Sequence, residues 1–226
     1  MPFTLDSIVP WGRSFKEYAA MFGLTETDLR GRILGCGDGP ASFNATLTKH
    51  GGRVISVDPL YGFSAGDIRR RIRETFDTVV AETRKNASEF VWTSIRDPDE
   101  LGRVRMAAME DFLADYPEGL AQGRYVDPRL PRLPFADGSF DLALCSHLLF
   151  LYSEHLDIAF HLASIRELCR TAAEARVFPL LELGAKPSRH LPDVCNELRR
   201  QGYAVEILGV DYQFQKGGNR MMRIRR

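Results

Sequence analysis

The run RILGCGDGPASFN, followed by RVISVD, constrains the fold more than any other stretch of the chain. Arg32 to Cys36 reads as a strand that runs directly into Gly37-Asp38-Gly39-Pro40. A helix is predicted from about Ala41 to His50, closed by Gly51-Gly52. The β-branched run that follows ends in Asp58 and is stopped by Pro59. Strand, glycine turn, helix and strand make a βαβ unit, so the two strands should be parallel neighbours with a right-handed crossover.

The alternation continues. Gly123–Val126 and Phe140–Ser146 are predicted strands separated by a proline-rich loop, and Glu154 to Arg170 has helical spacing. Ala175–Leu183 reads as a buried strand and Ser188 to Gln201 as a helix. Near the amino end, Ser14 is placed to cap a short amphipathic helix, SFKEYAAMF. The carboxyl end differs: YAVEILGVDYQFQ and RMMRIRR flank Gly217-Gly218, which reads as an antiparallel hairpin. About sixty residues separate Asp58 from Gly123, where a simple crossover needs only about a dozen. This predicts a mostly helical insertion at about 62–122, with helices from Asp67 to Asn86 and from Pro98 to Tyr116, kept within a single domain spanning 1–226. Its place after a strand that ends in a ligand-type acid suits a cap over a substrate, with Phe90, Trp92, Met106 or Met109 as apolar walls.

Composition narrows the partners. Thirty basic and thirty acidic residues give a net charge of +0, so nothing points to nucleic acid or an anionic membrane surface. The opening MPFTLDSIVPWGR lacks the basic start and apolar run of a secretory signal, and no apolar stretch is long enough to span a bilayer. Cys36, Cys145, Cys169 and Cys195 are scattered without a C-x-x-C pair, so they read as buried reduced thiols. These features favour the cytoplasm. His155, His161 and His190 share no ligand spacing, and no metal site is predicted. Oligomeric state is not legible.

The chemistry begins at the glycines. Closely spaced glycines let the backbone approach a ligand, and an acid at the end of the next strand can accept hydrogen bonds from both ribose hydroxyls. Asp58 is placed for that role. A tight strand-to-helix turn without a ligand is the competing reading.

With GCGDGPA, SVDPLY, LPFADGSFDLALCSHLL and the closing hairpin, the chain resembles the class I S-adenosylmethionine-dependent methyltransferases. The resemblance implies an α/β Rossmann-like methyltransferase fold, a mostly parallel seven-stranded sheet with helices on both faces and a C-terminal antiparallel hairpin. It implies S-adenosylmethionine as cofactor and a small molecule as methyl acceptor. Gly37 and Gly39 would wrap the methionine part, flanked by Gly35 and Asp38. Asp58 would hold the ribose, with Pro59 and Leu60 behind it, and Arg129 and Leu130 would approach the adenine. Cys145, Ser146 and His147 would form the floor beside the sulfonium, whereas Phe140, Leu142 and Leu144 read as core. His147 is the candidate general base, against a purely structural role for a lone histidine. Trp11 and Arg13 would either cover the cofactor, with Arg13 on its carboxylate, or simply pack the amino end. The basic run Arg69 to Arg71 with Arg73 reads as a solvated helix face, with an anionic-substrate or RNA site as the minority reading.

One departure stands out. Members of the family usually carry an acid in the first strand just before the glycines, and here the position is Gly35, or Ile33 in a shifted register. Either Asp38 takes over that role or the scaffold has become a non-catalytic binding module. A nicotinamide-dependent oxidoreductase is the third reading, since Asp58 suits NAD equally, although the glycine spacing is not G-x-G-x-x-G.

Overall fold

The computed structural model describes residues 9–226. Residues 1–8, which carry most of the segment read as lacking a secretory signal, lie outside the described residues. The chain runs through α1 (Phe15–Phe22), α2 (Glu26–Arg30), β1 (Arg32–Cys36), α3 (Phe43–Lys49) and β2 (Arg53–Val57). Two long helices follow, α4 (Ala65–Lys85) and α5 (Pro98–Ala121), then β3 (Tyr125–Val126) and β4 (Phe140–Ser146). The second half holds α6 (Ile158–Thr171), β5 (Ala172–Phe178), the short strands β6 (Leu181–Glu182) and β7 (Lys186–Pro187), α7 (Leu191–Arg200), β8 (Ala204–Gly209) and β9 (Arg220–Arg225).

Seven strands form one sheet in the order β3-β2-β1-β4-β5-β9-β8. β1 pairs in parallel with β2 and β4, as β4 does with β5, while β9 is antiparallel to both β5 and β8. This is the α/β architecture that the resemblance implies. Alternation along the central strands builds two cores. Leu34, Cys36, Ala143 and Cys145 face α6 and α7, while Ile33, Leu142 and Leu144 face α1 and α3. Burial on both faces explains why these strands read as continuous apolar runs. All four cysteines are free and buried.

Ser14 caps α1 as predicted, and it shares a capping box with Glu17. Several boundaries differ from expectation. Only Tyr125–Val126 of the Gly123–Val126 run pairs, because Gly123 and Arg124 close α5 by donating to Leu120 and Gly119. The strand predicted to reach Leu183 stops at Phe178, before a proline that has no N–H to give the ladder, and Leu181–Glu182 joins a separate two-stranded ribbon. α6 begins only at Ile158, where Asp157 caps it, rather than at Glu154.

The last difference concerns the carboxyl-terminal hairpin. Its strands are antiparallel as expected, but Gly217-Gly218 is not their turn. A connection from Val210 to Asn219 closes the pair, and it folds back over the carboxyl ends of the strands. The predicted insertion is divided in a similar way. α5 packs on α3 and leads into β3, so it supplies the β2–β3 crossover, and α4 is the added element beside it. Arg124 clamps this junction: it holds Asp115 of α5 at 2.8 Å and Asn44 of α3 at 2.7 Å.

Candidate functional site

Two cavities open at the carboxyl ends of β1, β2 and β4, and they meet at Gly37, Asp58 and His147. This is the place where open α/β sheets bind ligands. The β1–α3 loop is held from several sides. The Gly37 N–H donates to Val57 at 2.9 Å, and the Gly39 carbonyl accepts the Tyr61 hydroxyl at 2.8 Å. Gly37 has a φ of 70°, and a Cβ there would lie 2.9 Å from Leu148, so this position admits only glycine.

Asp58 follows β2 and faces this loop. One carboxylate oxygen accepts the Gly39 N–H and the other the Leu60 N–H, each at 2.9 Å. Burial raises its pKa, opposed by these two hydrogen bonds. Each oxygen keeps a free lone pair, so the group can still accept from two neighbouring hydroxyls.

Asp38 is buried and lies inside the loop. Its Oδ1 accepts the Tyr18 hydroxyl at 2.9 Å and its Oδ2 accepts the Ser56 hydroxyl at 2.6 Å. Burial lifts its pKa to about 7 against the pull of both hydroxyls. The carboxylate fills the space a side chain at Gly35 would need. No cation pairs with it among the described residues.

Arg13 approaches the same cavity from the amino-terminal segment, whose backbone is tied to the glycine loop by a 3.0 Å bond from the Ser42 N–H to the Arg13 carbonyl. Its guanidinium donates to the Trp11 carbonyl at 3.2 Å, and its buried Nε has no partner among the described residues. Burial lowers its pKa, as does the charge of Arg105. Arg105 is itself buried and bound to Glu17 at 2.5 Å, with Tyr212 on the other Glu17 oxygen at 3.1 Å. Burial alone would raise Glu17, but Arg105 overrides it and holds the carboxyl at about 2. Arg13 has no carboxylate within ion-pair distance among the described residues.

His147 sits just beyond β4 with a φ of 52°, a left-handed conformation that is costly for a residue with a side chain. Its N–H is held by the Phe178 carbonyl at 2.7 Å, and its Nδ1 lies 2.9 Å from the Ser146 hydroxyl. Burial drives its pKa well below the usual histidine value, and Arg13 and Arg105 push the same way. The imidazole is therefore neutral at pH 7 and carries a lone pair.

Arg13, Gly37, Asp38, Gly39, Ser146 and His147 thus border one cavity, and Asp58 joins them. Pro59, Arg129 and Leu130 border the second. Gly35, Leu60 and Cys145 border neither. Cys145 points into the core beneath α6 and α7, because the pleat that turns Ser146 towards the cavity turns its neighbour inward. Of the four apolar walls expected from the insertion, only Phe90 reaches the cavity. Met109 of α5 is buried in a core cluster against which Met106 packs, and Trp92 meets Phe90 edge-on. Val79, Thr83 and Leu101 line the cavity instead.

Residues that carried no motif complete the chamber. Tyr18 read as one ring on a helix face, and Phe178 as strand core. Tyr212, Phe214 and Gln215 lay in a run read as strand, whereas they belong to the connection folded over the site. Among the described residues no group of three or more His, Cys, Asp or Glu could hold a metal ion, and no helix is long and apolar enough to cross a membrane.

No protein-family profile matches the chain. The uncharacterized protein MJ0045 of Methanocaldococcus jannaschii is 33% identical over 225 residues, covering 98% of each chain. Among solved structures, mitomycin 7-O-methyltransferase MmcR is similar at a TM-score of 0.50 and 16% identity, over 94% of this chain. This chain spans 53% of that protein. Magnesium protoporphyrin IX methyltransferase (ChlM) from Synechocystis PCC 6803, with bound SAM, has a TM-score of 0.48 and 14% identity over 94% of this chain and 77% of its own. At these identities the likeness is one of fold.

Proposed function

The chain belongs to the family of the Methanocaldococcus jannaschii protein and has the fold of class I S-adenosylmethionine-dependent methyltransferases, and we propose that it binds S-adenosylmethionine and transfers its methyl group to a small molecule. A single observation carries this reading. One cavity is bordered by a buried carboxylate, Asp38, and by a guanidinium, Arg13, neither of which has an oppositely charged group within ion-pair distance among the described residues. Buried charges are costly unless paired, so the pair is the complement of an amino-acid zwitterion. Asp58, at the mouth of the adjoining cavity, offers a carboxylate to a ribose edge.

The donor set therefore fits the cofactor. Asp38 would take its ammonium, Arg13 its carboxylate, and Asp58 its ribose hydroxyls. Pro59, Arg129 and Leu130 would enclose the adenine. When bound, S-adenosylmethionine supplies a methyl carbon made electrophilic by a sulfonium. The protein's part is then to align the acceptor, exclude water and hold the proton that the acceptor loses. His147 is the group for that proton, because it borders both cavities and is neutral at pH 7. Asp38 would also take the role of the missing first-strand acid, whose absence motivates the non-catalytic binding module.

The experiment compares S-adenosylhomocysteine with 5′-methylthioadenosine, which keeps the nucleoside but lacks the amino-acid group. Charge-assisted hydrogen bonds contribute about 1.5–3 kcal/mol, so the loss of the zwitterion should weaken binding by at least about tenfold. Equal affinities would remove the zwitterion site.

A further inference from the structure

Beyond the glycine loop the chamber is walled by rings. His147 meets Phe178 edge-on at 5.5 Å, and Phe178 meets Tyr212 edge-on at 5.7 Å. Phe214 stacks on Phe90 at 4.8 Å and receives Trp92 edge-on at 5.5 Å. Backbone fixes this last group in place. The Val91 N–H donates to Phe214 at 2.8 Å and the Lys216 N–H to Glu89 at 2.9 Å, which joins the segment before α5 to the β8–β9 connection.

Charge is added beside this wall. The Arg105 guanidinium stands 6.0 Å from the Phe214 ring, and Arg13 borders the same chamber. Both neighbour the Glu17 carboxylate, and the Nε of each is buried without a partner among the described residues. Asp38 and Asp58 belong to the glycine-loop end of the cavity. Tyr18, Tyr152 and Tyr212 are phenols whose pKa values burial raises, so they bring no charge.

We propose that the methyl acceptor is a planar aromatic molecule bearing a ring hydroxyl, its ring against the Phe178–Tyr212–Phe214 wall and its oxygen towards His147. This rests on the methyltransferase reading for the acceptor's role, whereas the choice of ligand rests on the wall and the imidazole beside it. Ring pairs gain energy beyond the area they bury, which an aliphatic ligand forgoes. A ring hydroxyl ionises far more readily than an alcohol. A histidine held well below its usual pKa is a poor base for an alcohol and a better match for this more acidic hydroxyl. The proton passes to the imidazole or to solvent, and the ring oxygen keeps the electron pair that forms the new bond.

The test uses 4-nitrophenol, whose phenolate absorbs visible light, with 4-nitrocyclohexanol as the saturated control. The whole chain should bind 4-nitrophenol at least about tenfold more tightly than the control. Phe214→Leu should lose about tenfold for 4-nitrophenol and leave S-adenosylhomocysteine binding unchanged. Equal affinities for phenol and control, read on the wild type, would overturn the assignment. Selective binding of the phenol without any binding of S-adenosylhomocysteine would support the aromatic chamber and overturn only the cofactor reading.

Discussion

The carboxylate of Asp38 occupies the space of a side chain at Gly35: a Cβ built on Gly35 would lie 1.9 Å from Asp38 Oδ2. Asp38 reaches that space from the loop, three residues on, and Gly35 is the vacancy that admits it. Gly35→Ala should therefore destabilise the fold by about 1–3 kcal/mol, the usual cost of overpacking, and should displace Asp38. The paired exchange Gly35→Asp with Asp38→Gly returns the acid to the strand. It should bind S-adenosylhomocysteine at least about tenfold more tightly than Asp38→Gly alone. Denaturant unfolding and equilibrium binding check the two halves.

Asp38 should also give the protein a pH signature. Its folded pKa of about 7 lies above the ~3.9 of an unfolded aspartate. Between those values the folded chain keeps a proton that the unfolded chain has lost. Its contribution to stability therefore falls as pH rises through that window and is level above it. Asp38→Asn should remove this slope, which shows in the difference between urea-unfolding profiles of wild type and variant. Binding should run the other way, since an ammonium needs the ionised carboxylate. S-Adenosylmethionine affinity should rise by up to about tenfold from about pH 6 to about pH 8 in the wild type, and by much less in Asp38→Asn.

Asp58 has a structural task besides the ribose. Its two oxygens hold the Gly39 and Leu60 N–H groups, so its loss reaches the fold as well. Asp58→Ala should cost about 0.5–2 kcal/mol of stability, as the loss of other capping carboxylates does. It should also weaken the cofactor by about ten- to a hundredfold. Asp58→Asn should fall between on both scales. Thermal unfolding and calorimetry read the two effects separately.

His147 combines a strained backbone with a chemical role, and two substitutions divide them. His147→Gly relieves the left-handed φ and should be about 1 kcal/mol more stable than His147→Ala. Both should lower kcat by about a hundredfold while leaving S-adenosylhomocysteine affinity nearly unchanged. Equal stability of the two variants would contradict the strain, and an unchanged kcat would contradict the proton role.

The βαβ unit and β4 were legible because local signals agree there: β-branched or apolar strands, glycines at the turn, and Pro59 as a stop. The carboxyl-terminal pairing was legible too, but its turn was not. Gly217-Gly218 resembles a tight hairpin turn, and only the tertiary fold shows Tyr212 and Phe214 drawn over the chamber. Cys145 failed for a simpler reason. One residue along a strand reverses the face, and the sequence names the block without naming which neighbour points inward. Arg13 and Asp38 could each be suspected singly. Their complementarity depends on Arg13 being tied to a loop twenty-odd residues away, and no spacing rule reports that.

The central claim is that this cavity takes S-adenosylmethionine, and calorimetric titration of the wild-type chain with S-adenosylmethionine, S-adenosylhomocysteine and NAD tests it most directly. The account predicts saturable binding of the first two, weakened by about ten- to a hundredfold in Asp58→Ala, with NAD binding far more weakly or not at all. Selective binding of NAD, or no binding of any of the three, would contradict it.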